Sequence, residues 1–223
     1  MQNLRVAVLA AGLVACSAAW AQSFEPPTYN VGVVSNYVFR GISQSNNQPA
    51  LQGGVEVKHP GGFYAGLWGT TQNIPNSGAN LRGDAYAGVA YKGSSGLGFD
   101  VGAHAYSNAF VFPGQDRGSF WEAYGKLFFG PASVKWSHDF EHHDDYIEGA
   151  LRYDIGSGVK LNLHAGHYIL SDPSMGGDYS DGSIGFSRMF GDLDAAIAVT
   201  DTTQTPTTKL NDATLVISGD YRF

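Results

Sequence analysis

A chain of 223 residues is one domain's worth, and its thirty glycines and 13% aromatic content suit strands and tight turns better than helices. The net charge of −7 argues against nucleic acid and against acidic surfaces bound by charge. The single cysteine, Cys16, excludes an intrachain disulfide, so pairing and packing alone must hold the fold.

The N-terminus reads as a secretory signal. Met1 to Arg5 is a short basic start, Val6 to Ala15 an apolar run, and Ala19-Trp20-Ala21 a small-x-small cleavage site. This predicts a signal peptide over 1–21 and one domain over 22–223. Leu13-Val14-Ala15-Cys16 also fits a lipoprotein processing site, which would leave Cys16 lipidated. Cleavage after Ala21 is the preferred reading, since a lipoprotein has no use for a second site. No apolar run after Ala21 approaches the roughly 18 residues of a spanning helix.

Twelve segments of about ten residues follow, near the length of a tilted membrane strand. They run over 29–40, 50–59, 62–71, 81–91, 97–107, 119–129, 132–140, 146–155, 159–169, 181–190, 193–200 and 212–223. Short turns at 59–62, 92–96, 130–131, 156–158 and 191–192 alternate with mostly longer polar connections at 41–49, 72–80, 108–118, 141–145, 170–180 and 201–211. That asymmetry is expected of an outer-membrane barrel.

Alternation alone does not say which face looks outward, and a soluble barrel would put its apolar face inside. Charge decides. In 81–91 the face of Leu81, Ala85, Ala87, Val89 and Tyr91 opposes Arg82 and Asp84, and in 146–155 the face of Ile147, Leu151 and Tyr153 opposes Glu148 and Arg152. Arg188, beside Phe190, is the one charge on any apolar face. There its cost falls from roughly 2–4 kcal/mol at the bilayer midplane to about 0–1 near the interface. Aromatics gather in two belts. Tyr29, Phe63, Tyr91, Phe129, Tyr153, Phe190 and Phe223 are assigned to the short-turn end, and Tyr37, Phe39, Trp121, Trp136, Phe140, Tyr146 and Tyr168 to the other.

The fold expected is therefore an all-β, transmembrane, antiparallel up-and-down barrel of about twelve strands in the outer membrane. Its lumen is expected to be lined by Arg40, Glu56, Lys58, Arg82, Asp84, Asp100, His104, Glu122, Lys126, Lys135, Asp139, Glu148 and Arg152. Small inward residues (Gly54, Gly66, Gly88, Gly102) are expected to leave free cross-section. The alternating last segment, with Tyr221 and Phe223 on its apolar face, is expected to act as the assembly signal.

Ser35 to Ser45 (SNYVFRGISQS) and Gln48 to Gly54 (QPALQGG) resemble the opening signature of the TorF porin family. Gly62 to Gly69 (GFYAGLWG), Asp84 to Gly88 (DAYAG) and Asp178-Tyr179-Ser180 extend the similarity over essentially the whole mature chain. The chain departs at Arg82-Gly83, where relatives tend to be acidic, and at Val89, often aromatic. The resemblance implies an outer-membrane barrel acting as a porin and names no substrate.

Other constellations carry less. Arg40 reads either as a rim charge that attracts anions or, preferably, as a guanidinium tying loop carbonyls to a lumen carboxylate. Glu141 to Asp145 (EHHDD) looks like a metal cluster, but a solvated hairpin tip is the preferred reading because nothing aims the side chains together. Ser137-His138-Asp139 cannot form a triad, since neighbours in a strand point to opposite faces. A barrel lipase would need a lipid-facing His with a Ser on the same face, whereas His138 has Trp136 and Phe140 there. Gly93 to Gly98 (GSSGLG) is a hairpin turn. His104 and His164 fall on lumen faces and His167 on a lipid-side face. No enzyme activity, catalytic residue, metal or cofactor is expected. The expected partners are outer-membrane lipid, the barrel-assembly machinery and small solutes. The expected role is passive diffusion of small hydrophilic solutes or ions. The alternative is a structural or ligand-binding barrel with a closed, ion-paired lumen. Oligomeric state is not readable.

Overall fold

The computed structural model describes residues 24–73, 80–107, 119–172, 177–205 and 208–223. The expected signal peptide with Cys16, and parts of the four long connections at 72–80, 108–118, 170–180 and 201–211, lie outside them. In chain order come β1 (Thr28–Val34), a small inward hairpin of β2 (Val38–Phe39) and β3 (Ile42–Ser43), then β4 (Ala50–Lys58), β5 (Phe63–Thr71), β6 (Leu81–Lys92), β7 (Leu97–Ser107), β8 (Phe120–Phe129), β9 (Ala132–Asp139), β10 (Asp145–Gly156), β11 (Val159–Ile169), β12 (Tyr179–Phe190), β13 (Leu193–Thr202) and β14 (Thr214–Arg222). Twelve of them, β1 and β4 to β14, form one closed antiparallel barrel.

Each barrel strand pairs with its sequence neighbours, and β1 closes against β14 with Asn30 opposite Arg222 and Val34 opposite Ser218. Phe223 extends the seam: its N–H donates to the Tyr29 carbonyl and its carbonyl accepts from the Tyr29 N–H, while the two rings stack at 5.8 Å. Closure matters because an open edge would leave a row of N–H and C=O groups unpaired in lipid.

The period-2 pattern sorts the side chains as expected. Val31, Leu51, Leu67, Val101, Leu127, Val134, Ile147, Ile184, Ile197, Leu215 and Ile217 all stand exposed on the outside of the wall. So do all seven aromatics assigned to the short-turn end, and Trp121, Trp136 and Phe140 at the other. An outer face this apolar fits lipid and not water. Arg188 is outward too, with its guanidinium 5.2 Å from the Phe190 ring centroid.

The first segment differs from expectation. The barrel strand stops at Val34, and residues 35–49 turn into the lumen. Tyr37 and Phe39 therefore do not belong to the lipid-facing belt, and nor do Tyr146 and Tyr168. Tyr37 and Tyr146 are buried, and Phe39, Tyr146 and Tyr168 all surround Arg40 inside the barrel. Val34, Tyr37 and Ala50 make the one buried apolar cluster among the described residues, with Phe39, Trp68 and Val216 against it. It sits inside the barrel mouth, at the base of the hairpin.

Replacing Phe223 by Ala removes the ring that stacks on Tyr29 across the seam. The expected result is a lower yield of folded barrel on refolding into lipid vesicles, read as loss of the heat-modifiable band on a gel. Phe24→Ala, outside the ladder, should leave the yield unchanged.

Candidate functional site

The hairpin turn is Arg40-Gly41, with φ of 49° and 80°, between the register pairs Phe39–Ile42 and Val38–Ser43. Positive φ at both central residues gives the tight two-residue turn, and Gly is the residue that adopts it without strain. A Cβ on Gly41 would also lie 2.7 Å from Thr202 Cβ and 2.8 Å from Asp181 Cβ. The tip thus rests on β12 and β13.

Polar side chains hold the hairpin from behind. Asn36 Oδ1 accepts from Ser43 Oγ at 2.6 Å and Ser45 Oγ at 3.1 Å, and Asn36 Nδ2 donates to Asn47 Oδ1 at 2.8 Å. Ser45 Oγ accepts from the Tyr37 N–H, and its one proton is shared between Asn36 Oδ1 and the nearer Gln48 carbonyl at 2.7 Å. The Ser43 N–H donates to the Leu210 carbonyl and Asn47 Nδ2 to the Lys209 carbonyl, so the β13–β14 connection clamps it from outside.

From this base Arg40 reaches across the barrel. Its Nη2 donates to Glu122 Oε1 at 2.7 Å and Oε2 at 2.8 Å, and Glu122 stands on β8, five strands from β1 by way of β4 to β7. The side chains of the pair are only 6% and 3% exposed. The guanidinium lies 4.2 Å from the Tyr146 ring centroid, 4.7 Å from Tyr168 and 4.9 Å from Phe39. Burial works against the Arg40 charge, but Glu122 and the surrounding tyrosine oxygens outweigh it and hold the group above its ordinary range. Arg82 packs on the other side of the cluster, 4.5 Å from the Phe39 ring and 4.7 Å from Tyr106, with its Nε donating to Asp84 Oδ1 at 2.9 Å. Tyr106 donates to Glu122 and stacks on His104 at 4.1 Å.

A second network descends the β9–β12 wall. Tyr146 donates to Asp181 at 2.8 Å, His164 Nε2 meets Glu148 at 3.0 Å, and Lys135 pairs with Glu148 at 2.5 Å. A third lines β4 to β8 towards the short turns. Tyr64 donates to Asp100 at 2.6 Å and also contacts the Tyr124 hydroxyl, while Tyr86 donates to Glu56, which pairs with Lys58. Arg152 pairs with Asp194 at the short-turn rim.

Of the residues assigned to the lumen, Asp100, Lys126, Lys135 and Glu148 are successive register partners, as are His104, Glu122 and Asp139, so each set shares one face of the sheet, though not every side chain faces open space. Asp139 is spent on its own turn, accepting from the Glu141 and His142 N–H groups and pairing with His142 Nδ1 at 2.7 Å. Nor do the inward glycines leave free cross-section. A Cβ on Gly66 would lie 2.3 Å from Tyr86 Cζ, on Gly88 2.5 Å from the Tyr64 hydroxyl, and on Gly102 2.7 Å from the Tyr124 hydroxyl. Each glycine is the register partner of the tyrosine that covers it. These seats are what reading each strand alone missed; the signal is a Gly directly across from an inward Tyr.

Outside the barrel, Trp136 Nε1 and His138 Nδ1 both meet Asp145 Oδ1, at 2.9 and 3.0 Å. His167 Nδ1 meets Ser180 Oγ at 2.9 Å, a same-face pair that sequence reading did not bring together. Among the described residues no carboxylate joins His167, and none of the histidine and carboxylate groups gathers three ligands for a metal.

Solved structures share this architecture. The KdgM porin matches with a TM-score of 0.62 at 9% identity, over 88% of this chain and 98% of that chain. The KdgM porin in complex with disordered oligogalacturonate gives 0.62 at 8% identity over the same shares, and the NanC porin 0.57 at 13%. At such identities the likeness is one of fold. No curated protein matches the sequence. Residues 18–220 match the family Gcw_chp, described as a bacterial protein of unknown function, and the chain belongs to that family.

Breaking one side of a buried ion pair strands the other charge, at roughly 3–5 kcal/mol. Glu122→Gln should therefore lower the melting temperature of the detergent-solubilised barrel markedly. Arg40→Met with Glu122→Leu, which removes both charges, should recover most of the loss. In the turn at 140–143, the hydrogen bond to Asp139 raises the His142 pKa above 6.5 against its partial burial. Its stabilising share is full below about 6.5 and fades as pH rises through the raised folded-state value. An NMR titration of His142 should show that raised midpoint, and Asp139→Asn should bring it back.

Proposed function

We propose that this member of the Gcw_chp family is an outer-membrane porin-like channel for passive diffusion of small hydrophilic solutes or ions, with the hairpin of residues 35–49 as its constriction. The observation that carries the reading is the inverted wall: apolar side chains outside, charges inside, and space left between them. One lumen cavity of about 480 Å³ is lined by β4 to β9, and another of about 330 Å³ by the hairpin with β1, β4 and β11 to β14. An interior of both charge signs and open volume suits hydrated solutes. The fold shared with structures described as porins supports the same role.

The TorF resemblance fits this reading at its most specific point, since Asn36, Tyr37, Phe39, Arg40, Gly41, Ser43 and Ser45 of its motif are the residues that build the constriction. Export by a signal peptide over 1–21, cleaved after Ala21, would deliver 22–223 to the outer membrane. There the assembly machinery would read the apolar face of β14, with Tyr221 and Phe223. The long connections would then face outward from the cell and the short turns the periplasm. Arg40, Arg82, Asp84 and Glu122 would set selectivity at the constriction, and Glu56, Lys58, Asp100, His104, Lys126, Lys135, Glu148 and Arg152 below it. Asp139 would support the wall from its turn. Transport needs no catalytic group, and among the described residues no carboxylate joins the Ser180–His167 pair.

The Arg40–Glu122 pair favours one other reading, a barrel closed across its mouth. Planar-bilayer recording of refolded protein separates the two. The channel reading expects discrete conductance steps, larger in Arg40→Ala because the side chain crossing the lumen is gone. Wild type and variant alike giving no current above the empty membrane would overturn the channel and leave the closed barrel.

A further inference from the structure

We infer that the cavity on the β4–β9 wall is a binding subsite for sugar acids, holding a pyranose ring against its tyrosines and a carboxylate on Lys126. The inference rests on the channel reading and names a solute class for it. Tyr64, Tyr86 and Tyr124, three of the four tyrosines that line this space, each lie over a glycine seat, where a Cβ would collide with the side chain above it. Their hydroxyls are engaged by Asp100, Glu56 and one another. Lys135 Nζ stands 5.7 Å from the Tyr124 ring centroid and the His104 ring 5.5 Å from that of Tyr86, so what a solute meets is the ring surface these two leave open, on which the C–H side of a sugar packs.

The charges in the same cavity are unevenly spent. Glu56 has Tyr86 and Lys58; Asp100 has Tyr64 and Tyr124; Lys135 has Glu148. Lys126 has no ion pair or hydrogen bond among the described residues. In register it stands between Asp100 on β7 and Lys135 on β9. Asp100 already accepts from two hydroxyls, and Lys135 directly opposite is a like charge, an arrangement that is unfavourable across two strands. A carboxylate beside Lys126 would relieve that repulsion and supply the missing partner. His104 and Ser137 complete the polar lining. The volume of about 480 Å³ falls within the roughly 300–1,000 Å³ of small-molecule sites.

The test is current block in the planar bilayer by glucuronate, with glucose and acetate as controls, on wild type, Lys126→Gln and Tyr124→Leu. Glucuronate should interrupt the current at lower concentration than either control. Loss of one charged contact should weaken glucuronate by about tenfold in Lys126→Gln. Tyr124→Leu should weaken glucuronate and leave acetate as it was. Lys126→Gln removes a repulsion, so it keeps the test sound if Tyr124→Leu fails to fold, which the heat-modifiable gel band reports. A conducting channel on which glucuronate acts no more strongly than acetate overturns the inference and leaves the channel standing. Without conductance the channel reading fails, and calorimetric titration of glucuronate into the detergent-solubilised barrel decides the subsite. There, saturable binding lost in Lys126→Gln supports it, and no binding, or binding the variant keeps, overturns it.

Discussion

Backbone hydrogen bonding in a medium without water is the constraint on which the rest of this structure depends. Hydrocarbon offers no partner to an N–H or C=O, so strands can cross it only when the last pairs with the first. Closure through β1 and β14 meets that demand, with Phe223 and Tyr29 bonded at its end. A closed wall has one face to lipid and one to the lumen, and alternation then assigns every second side chain. The charged residues follow from this, because at the bilayer midplane only the inner face holds them cheaply.

That confinement creates a second problem, since charges crowded into a narrow tube must find partners. The hairpin answers part of it. By leaving the wall at Ser35, the chain sends Arg40 to Glu122 on β8 and places Phe39 between Arg40 and Arg82. A guanidinium is suited to this position, because Nη2 reaches both Glu122 oxygens while its planar faces rest on rings. Lysine there would keep the charge and lose the stacking. The asparagine and serine network behind the turn fixes where the guanidinium points, so the Ser35–Ser45 motif and the inward hairpin are one object.

The barrel was legible in the sequence because each strand carries its own evidence. Parity, turn residues and charge are all local, and the strands from 50 onward fall within a few residues of the segments read from them. The hairpin was not legible for the same reason. Val33, Tyr37 and Phe39 keep the odd-numbered apolar rhythm, so counting by twos carries strand one on to Arg40. Once the backbone turns inward at Ser35 and Asn36 the count no longer indicates a face, and Tyr37 and Phe39 enter the lumen. Tyr146 and Tyr168 were misassigned differently: both occupy inward positions, and their aromatic character outweighed their parity. The tyrosine seats escaped because they exist between strands. Gly66 looks like open space until its register partner Tyr86 is known.

Those seats bear on what the lumen can do. A tyrosine above a glycine lies along the wall instead of projecting across it, so the tube gains an aromatic lining at little cost in width. Its hydroxyl can then reach a carboxylate one or two strands away, as Tyr64 reaches Asp100 and Tyr86 reaches Glu56. Glu56 and Glu122 each hold a hydroxyl and a cation together, whereas Asp100 is occupied by two hydroxyls, which are neutral donors, and holds no cation. At that point hydroxyls tilt a lumen of nominally balanced charge towards a free ammonium group. Lys126 is where that tilt is felt, opposite Lys135 and beside an Asp100 already engaged twice. The count of acidic and basic residues in such a barrel is therefore a poor guide to its free charge; which charges already have partners is the better one.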